Sequence, residues 1–153
     1  MGTTNKKEET MSALEVVSNY FEWMDGAVSG DSELAEKRTA LVSPDIKYQN
    51  VPLRPINGLA EYDEFAMSFV GTEFMRGRIT HIAQEGEWVL MERNEEWRLN
   101  GVTVGGMIMG IMRVVDDQIV EWTDYQANFS TWRFSGQMPE AFWARWEFAP
   151  AEL

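Results

Sequence analysis

The sequence predicts an α+β fold in which a curved mixed or antiparallel β-sheet forms a cone with N-terminal helices packed on it. Three observations support this prediction. Apolar residues recur at helical spacing in the first part of the chain. Alternating apolar and polar stretches follow, and turn-forming pairs such as Asn100-Gly101 separate them. Helices followed by an antiparallel meander are typical of α+β domains.

Two helices are predicted near the start of the chain. The first spans residues 11–28, with Thr10 or Ser12 as its N-cap and Gly30 after its end. Its apolar positions are Leu14, Val17, Phe21, Met24 and Val28. The second helix spans residues 31–41 and is capped by Asp31-Ser32.

A strand and a loop connect these helices to a third helix. Pro44 is expected to stop the second helix and to lead into a strand over residues 46–50. Pro52 and Pro55 predict an irregular loop that ends at Gly58. The third helix then covers residues 59–70, with Leu59, Tyr62, Phe65, Met67 and Phe69 as its apolar positions.

Four strands are predicted in the second half of the chain. They cover residues 74–83, 88–99, 102–115 and 118–129. Turns are expected at Glu85-Gly86, Asn100-Gly101 and Asp116-Asp117. Glycines at 105, 106 and 110 indicate bends or bulges in the long third strand of this set.

The remaining segments define the domain organisation. Residues 1–10 are polar and predict a disordered leader, and residues 11–153 are expected to form one domain. Residues 130–153 form an aromatic extension with a short helix predicted from Pro139. This extension is expected to pack over the cone or against a second subunit, and a lid over a pocket is the functional alternative.

Composition excludes several classes of function. The net charge of -12 disfavours binding to nucleic acid or anionic membranes and weakly favours neutral or cationic ligands. No cysteine is present, and His81 is the single histidine, so thiol catalysis and metal sites built on several histidines are disfavoured. No stretch approaches the roughly 18 apolar residues of a membrane span. A cytoplasmic enzyme without cofactor or metal is therefore the expectation.

Polar residues interrupt the predicted strands in a pattern that indicates chemistry. Arg93 and Glu95 are two positions apart and share one strand face, whereas Asp124 shares the more apolar face of the last strand with Trp122. Buried charges are costly unless they pair, so two carboxylates held by an arginine suggest a device for moving protons. The pattern does not decide which face of residues 88–99 is buried. A structural ion-pair network at the sheet surface is the alternative.

Three segments resemble the limonene epoxide hydrolase family in their order and approximate spacing. They are Tyr48-Gln49-Asn50-Val51-Pro52-Leu53, Glu92-Arg93-Asn94-Glu95 and Trp122-Thr123-Asp124-Tyr125. The likeness extends from about Ala13 to Tyr125. It implies the cystatin-like α+β cone that nuclear transport factor, ketosteroid isomerase and polyketide cyclases also use.

The resemblance implies a role for each polar residue. Asp124 would take a proton from the attacking water, and Tyr48 and Asn50 would hold that water. Arg93 would bridge the two carboxylates. Glu95 stands where the family usually has an aspartate as general acid, and the extra methylene changes how far the acid reaches.

The resemblance also implies the substrate and the assembly. Trp97, Ile108 and Phe74 would lie beside a lipophilic substrate, with Trp122 as a further pocket residue. The implied reaction adds water to a small cyclic or terpenoid epoxide, such as a limonene-like one, and gives a vicinal diol in one step of general acid/base catalysis. A homodimer formed through the sheet face is expected.

Two alternatives are kept. Another enzyme on the same cone would be an isomerase, a dehydratase or an epoxide-opening cyclase, and in the first two His81 could serve as a base instead of being a structural histidine. The other alternative is a non-catalytic domain that binds a small molecule. A binding domain has no need for an inward pair of carboxylates, which favours an enzyme.

Overall fold

The computed structural model describes residues 10–147. The predicted leader lies outside this range except for Thr10, and so do residues 148–153 of the aromatic extension. The described elements, in chain order, are α1 (Ala13–Glu22), α2 (Met24–Val28), α3 (Ser32–Ala40), β1 (Val42–Val51), β2 (Ile56–Asn57), α4 (Leu59–Met67), β3 (Phe74–Glu85), β4 (Trp88–Leu99), β5 (Val102–Val115), β6 (Gln118–Gln126), α5 (Phe129–Phe134) and α6 (Glu140–Trp146).

The strands form one mixed six-stranded sheet in the order β2-β1-β6-β5-β4-β3. Strands β3 to β6 make an antiparallel meander, whereas β1 lies parallel to β6. This parallel pairing sets Tyr48 beside Trp122 and Asn50 beside Asp124, although about half of the chain separates each pair. The mixed sheet with its N-terminal helices confirms the predicted fold class.

Helix α1 begins with a capping box. The Ser12 hydroxyl accepts a hydrogen bond from the Glu15 N–H, and the Glu15 carboxylate accepts one from the Ser12 N–H. The buried stripe of α1 and α2 comprises Ala13, Val16, Val17, Tyr20, Phe21 and Met24. The prediction of one continuous helix to Val28 was wrong, because the backbone at Trp23, with φ -84° and ψ -7°, departs from regular helical geometry and separates α1 from α2. Among the described helices, none is long and apolar enough to cross a membrane.

Two predicted boundaries differ from the structure. Strand β1 begins at Val42, so Pro44 lies inside it and does not precede it. The register of β1 against β6 shifts between Val42 and Lys47, and a proline without an N–H donor is tolerated where the ladder is interrupted. Strand β6 ends at Gln126 and not at Phe129, because Asn128 precedes the first turn of α5.

The glycines of β5 do not form bulges. Strand β5 pairs with β4 in continuous register through positions 105, 106 and 110. The register shift of β5 lies instead at Arg113 and Val114, against β6. The missing side chain of Gly106 leaves space that Asn128 fills. The missing side chain of Gly110 leaves space that Asp124 and Arg93 fill.

Alternation along β4 decides which face is buried. Six residues point into the core: Val89, Met91, Arg93, Glu95, Trp97 and Leu99. Their neighbours on the other face are exposed or half-buried. The burial of Arg93 and Glu95 excludes the surface ion-pair network that the pattern alone allowed.

The described part of the aromatic extension packs over the open end of the cone. Trp132, Phe142, Trp143 and Trp146 are buried. The rings of Trp132, Phe142 and Trp146 contact those of Phe65 and Phe69, on and just after α4, and Trp143 packs against Trp132 and Phe142. Gln137 fixes the connection between α5 and α6, since it accepts a hydrogen bond from the Trp97 indole at 2.6 Å and donates one to the Val102 carbonyl. The extension is therefore part of the structure that closes the interior.

Candidate active site

A cavity of about 110 Å³ lies between the inner face of the sheet and the helical layer. Its walls come from α1 to α5, from the segment after α4 and from strands β1, β3, β4 and β6. Aromatic and aliphatic side chains form most of the wall, while charged and amide groups converge at the sheet. An apolar cavity with a few convergent polar groups is the usual form of a small-molecule site.

Arg93 joins two carboxylates at the sheet side of this cavity. Its Nη1 and Nη2 donate hydrogen bonds to the two oxygens of Asp124 at 2.9 Å and 2.6 Å. Its Nε donates to Glu95 at 2.6 Å. The three side chains are almost fully buried, at 1%, 2% and 7% exposure for Arg93, Asp124 and Glu95. The planar guanidinium suits this geometry because it can bind one carboxylate with two N–H groups and another with the third.

Glycine at position 110 makes the bridge across the sheet possible. Arg93 lies on β4 and Asp124 on β6, so the guanidinium must pass over β5, about two strand spacings of about 4.8 Å each. Gly110 is the β5 residue that pairs with Asp124. A Cβ at this position would lie 2.8 Å from Asp124 Oδ1 and 2.9 Å from Arg93 Nη1. A side chain there would displace the ion pair.

Burial and charge determine the protonation of the trio. Burial, together with the nearby charge of Asp124, raises the pKa of the Glu95 carboxyl above its usual value, although Arg93 acts in the opposite direction. Burial also opposes the charge of Arg93, but the two carboxylates outweigh it and raise the pKa of the guanidinium. A protonated Glu95 with ionised Arg93 and Asp124 gives a trio with no net charge, which suits a dry cavity.

Tyr48 and Asn50 face the same cavity from β1. Burial, followed by the charge of Asp124, raises the pKa of Tyr48 well above its usual value, so its hydroxyl stays a proton donor. Asn50 also lines the cavity, and its Oδ1 accepts a hydrogen bond from Gln126 Nε2 at 2.7 Å.

The structure brings most of the predicted site residues together. All five predicted catalytic residues line one cavity: Tyr48, Asn50, Arg93, Glu95 and Asp124. Trp97 and Trp122 also line it. Two predicted pocket residues do not. Ile108 is buried at the level of Arg93 and Gln126 in the sheet, and Phe74 lies at the start of β3 with the Arg76 guanidinium over its ring.

His81 is not part of the cavity. Its side chain is 82% exposed on β3, and it contacts the Glu92 carboxylate at 3.1 Å. A role as the base of an isomerase or dehydratase in this cavity is therefore excluded.

Sequence reasoning missed three polar residues on the helical side of the cavity. Tyr20, Arg38 and Tyr62 all line it, opposite the sheet. Tyr20 and Tyr62 occupy apolar-spaced positions, and Arg38 belongs to a helix rich in charges that resembles a solvated surface helix. Only the tertiary structure, in which α3 packs against α2 and Arg38 contacts Tyr20 of α1, reveals that Arg38 points inward.

The site has the parts for proton transfer and none for a metal ion. Within residues 10–147, no cluster of three or more histidine, aspartate or glutamate side chains is arranged to hold a metal. An ionised carboxylate and a raised-pKa carboxyl on one arginine can take a proton at one point of a substrate and deliver one at another.

Fold and site together define a class: a cone-shaped α+β domain with a buried acid/base cavity. A sequence model of the limonene-1,2-epoxide hydrolase catalytic domain matches residues 12–135. Because this match covers most of the chain, the protein belongs to the limonene-1,2-epoxide hydrolase family. The family match confirms the resemblance that the three strand segments indicated. No curated protein sequence matches the chain.

Comparison with solved structures finds the same fold in more distant proteins. An LEH-like epoxide hydrolase from M. tuberculosis matches with a TM-score of 0.68 and 20% identity, over 89% of this chain and 98% of that one. A candidate SnoaL-like polyketide cyclase from Jannaschia sp. CCS1 matches with a TM-score of 0.65 and 15% identity, over 90% of this chain and 100% of that one.

A hypothetical protein of ketosteroid isomerase-like fold from Catenulispora acidiphila, in complex with trimethylamine, also matches. Its TM-score is 0.62 and its identity 17%, over 83% of this chain and 95% of that one. At these identities the structural matches establish the fold alone.

The Gly110→Ala variant tests whether the ion pair needs an empty position on β5. The added methyl group is expected to displace Arg93 from Asp124 and to lower the free energy of unfolding by about 1–3 kcal/mol in urea denaturation. Gly77→Ala is the matched control, since the one close contact of its Cβ would be the flexible end of Met24 at 2.9 Å, with Phe21 and Glu95 at the ordinary contact distances of 3.5 Å and 3.8 Å. Equal stability of the two variants would contradict the role of Gly110.

The Glu95→Gln variant tests the raised pKa of Glu95. Because the folded-state pKa is raised from its usual value near 4.5, the stability that protonated Glu95 contributes is fully present below that value and is lost as the pH rises through the folded pKa. The melting temperature of Glu95→Gln relative to wild type should therefore rise between pH 5 and pH 9. Glu96→Gln, on the solvent face of β4, is the control. If the difference in melting temperature between Glu95→Gln and wild type did not change with pH, this result would contradict the raised pKa of Glu95.

Proposed function

We propose that this protein is a cofactor-independent epoxide hydrolase that converts a small lipophilic epoxide to a vicinal diol. The single observation that carries the proposal is the buried Asp124–Arg93–Glu95 trio, which lines the same cavity as Tyr48 and Asn50. Family membership supports the reaction class. The cavity supports a ligand that is mostly apolar.

The reaction adds one water across one carbon–oxygen bond of the three-membered ring. Asp124 takes a proton from the water as the water oxygen bonds to the ring carbon. Glu95 gives its proton to the ring oxygen as the carbon–oxygen bond breaks. A proton then returns from Asp124 to Glu95 by way of solvent or product, so that atoms and charge balance and no covalent intermediate forms.

The geometry of Asp124 supports its role as base. A carboxylate has about four acceptor positions, and Arg93 occupies one on each oxygen. The remaining positions are available to a water molecule. The Tyr48 hydroxyl, which has no hydrogen-bond partner among the described residues, and the Asn50 NH₂ group supply further contacts that hold such a water.

The volume of the cavity supports a small substrate. A cavity of about 150 Å³ is known to hold a benzene molecule, and the present cavity of about 110 Å³ adjoins a second one of about 100 Å³. One substituted six-membered ring is therefore the size class that we propose, which includes cyclic and small terpenoid epoxides. Met75, Phe65 and Trp132 would surround the apolar part of such a ring.

A cyclase on the same fold is the second candidate. In that enzyme an internal hydroxyl of the substrate replaces water as the nucleophile. The glutamate in place of the usual aspartate favours it to a small degree, because the longer acid changes the position of the ring oxygen. The pair Tyr48 and Asn50 favours the hydrolase, since these groups serve to hold a separate water.

The test measures diol formation from cyclohexene oxide and limonene-1,2-epoxide by gas chromatography with mass spectrometry. Wild type is expected to form diol from at least one of them. Asp124→Asn and Glu95→Gln should each lower turnover by roughly 10² to 10⁴, the range for losing one proton transfer. Glu95→Asp should keep substantial turnover because it keeps the acid.

Each result has a clear consequence. Circular dichroism shows whether every variant is folded, and Glu96→Gln controls for the loss of one surface carboxylate. Near-normal turnover by Glu95→Gln would remove Glu95 as the acid. A folded wild type that forms no diol would favour the cyclase or isomerase, and a hydroxy-epoxide would then be the next substrate.

We further propose a homodimer formed through the outer face of the sheet. Five large apolar side chains are 38–54% exposed on the outer face of β4, β5 and β6: Trp88, Leu90, Met107, Met109 and Tyr125. Such a continuous exposed patch is typical of an interaction site.

Light scattering coupled to size exclusion tests the dimer. A mass of twice the 17.6 kDa of one chain is expected for the wild type. Met109→Glu should give the monomer mass, because it places a charge within the patch. Met67→Glu is the matched control, since Met67 is also an exposed methionine, at 66% against 48% for Met109, but lies on α4. A wild type of one-chain mass would exclude the dimer.

A further inference from the structure

A cluster of Tyr20, Arg38 and Tyr62 faces the cavity from the helical side. Arg38 Nη2 donates a hydrogen bond to the Tyr20 hydroxyl at 2.7 Å, and its guanidinium carbon lies 4.2 Å from the centre of the Tyr20 ring. The Tyr20 hydroxyl is also hydrogen-bonded to the Tyr62 hydroxyl. The proposed hydrolysis of the epoxide ring uses none of these groups.

The cluster has more donors than acceptors. Its two tyrosines carry two O–H groups, and one of them is used in the bond between the rings. The other O–H has no acceptor among the described residues. The Nε–H of Arg38 is buried and likewise has no partner within residues 10–147. Buried donors without acceptors are unfavourable, so the cluster is suited to a ligand that brings an acceptor.

The charge of Arg38 is also unbalanced. Among the described residues no carboxylate forms a salt bridge with Arg38, which is half-buried, whereas the buried Arg93 has two such partners. Arg38 therefore brings to the cavity wall a positive charge that no carboxylate of the described residues contacts directly. A negatively charged group of a ligand can form that contact.

There is space next to the cluster for a negatively charged group of a ligand. A second cavity of about 100 Å³ lies against the first, and Tyr20, Arg38 and Tyr62 line both. Asp63 also lines the second cavity but forms no salt bridge with Arg38. A ring in the first cavity can therefore extend a substituent toward Arg38.

We propose that Tyr20, Arg38 and Tyr62 form a subsite for a carboxylate, so that the substrate class is a small cyclic epoxide that carries a carboxylate away from the three-membered ring. This assignment rests on the proposed hydrolase function, because the other end of the substrate must react between Asp124 and Glu95. Arg38 binds the carboxylate and thereby sets the distance from the anion to the reacting carbon.

The overall charge of the chain does not oppose this assignment. The net charge of -12 acts on an approaching anion over long distances. Salt screens that effect beyond roughly 8–10 Å, whereas a direct contact with a buried guanidinium is screened much less.

The experiment compares 3,4-epoxycyclohexane-1-carboxylate with its primary amide, which has nearly the same shape and no charge. Wild type should show at least a tenfold higher kcat/KM for the carboxylate. Arg38→Met should reduce this preference by about 10- to 100-fold, mainly through KM, as expected for losing a hydrogen-bonded charge pair. Arg38→Lys should restore part of the preference, because it keeps the charge.

Arg78→Met is the matched control. Arg78 is exposed on β3 outside the cavity, so the variant changes the net charge by the same amount and should leave the preference unchanged. If Arg38→Met fails to fold, the preference for the carboxylate over the amide can still be compared between Arg38→Lys and wild type.

A binding measurement separates the subsite from the reaction. Isothermal titration with cyclohexanecarboxylate should show binding to wild type that weakens at least tenfold in Arg38→Met, while cyclohexanecarboxamide binds less tightly to wild type. Turnover of both epoxides without a preference that depends on Arg38 would overturn the subsite and leave the hydrolase. Binding of cyclohexanecarboxylate that depends on Arg38, with no turnover of either epoxide, would support the subsite and overturn the hydrolase.

Discussion

The three-way contact of Arg93 with Asp124 and Glu95 is the constraint on which the rest of the structure depends. These charges lie almost wholly out of water, and removing Arg93 would leave both carboxylates buried without a partner. Their geometry requires β4 and β6 to flank a strand with no side chain at Gly110. The Phe21 ring covers the guanidinium at 4.6 Å, so α1 is tied to the same group.

The surrounding fold shields this charged group from water and places an apolar cavity beside it. Strand β1 brings Tyr48 and Asn50 to the carboxylate of Asp124 through its parallel pairing with β6. Helices α4, α5 and α6 close the other side with a cluster of aromatic rings. A low-dielectric cavity strengthens the electrostatic contacts of the trio and favours proton transfer over exchange with bulk water.

The cavity has one arginine on its sheet side and one on its helical side, and the two differ in how their charges are balanced. Arg93 is neutralised within the protein, and its carboxylates are the groups that can exchange protons. Arg38 is left with spare donors on the helical wall. The protein itself balances the charge of Arg93, and we propose that a ligand balances the charge of Arg38. Substrate binding therefore completes the charge balance of the site.

Sequence alone determined the types of the longer elements but not the short elements β2 and α5. It also determined the hairpin turns at Asn100-Gly101 and Asp116-Asp117 and the identity of the charged trio. Local patterns suffice there, because strand alternation and turn chemistry depend on neighbours in the chain. Tertiary structure decided which face of β4 is buried, why Gly110 is a glycine, and that Arg38 points inward from a helix that looks solvated. It also showed that Ile108 and Phe74, which were predicted as pocket residues, do not line the cavity. Each of these depends on contacts between strands and helices far apart in sequence, and such contacts leave no periodic signal in the chain itself.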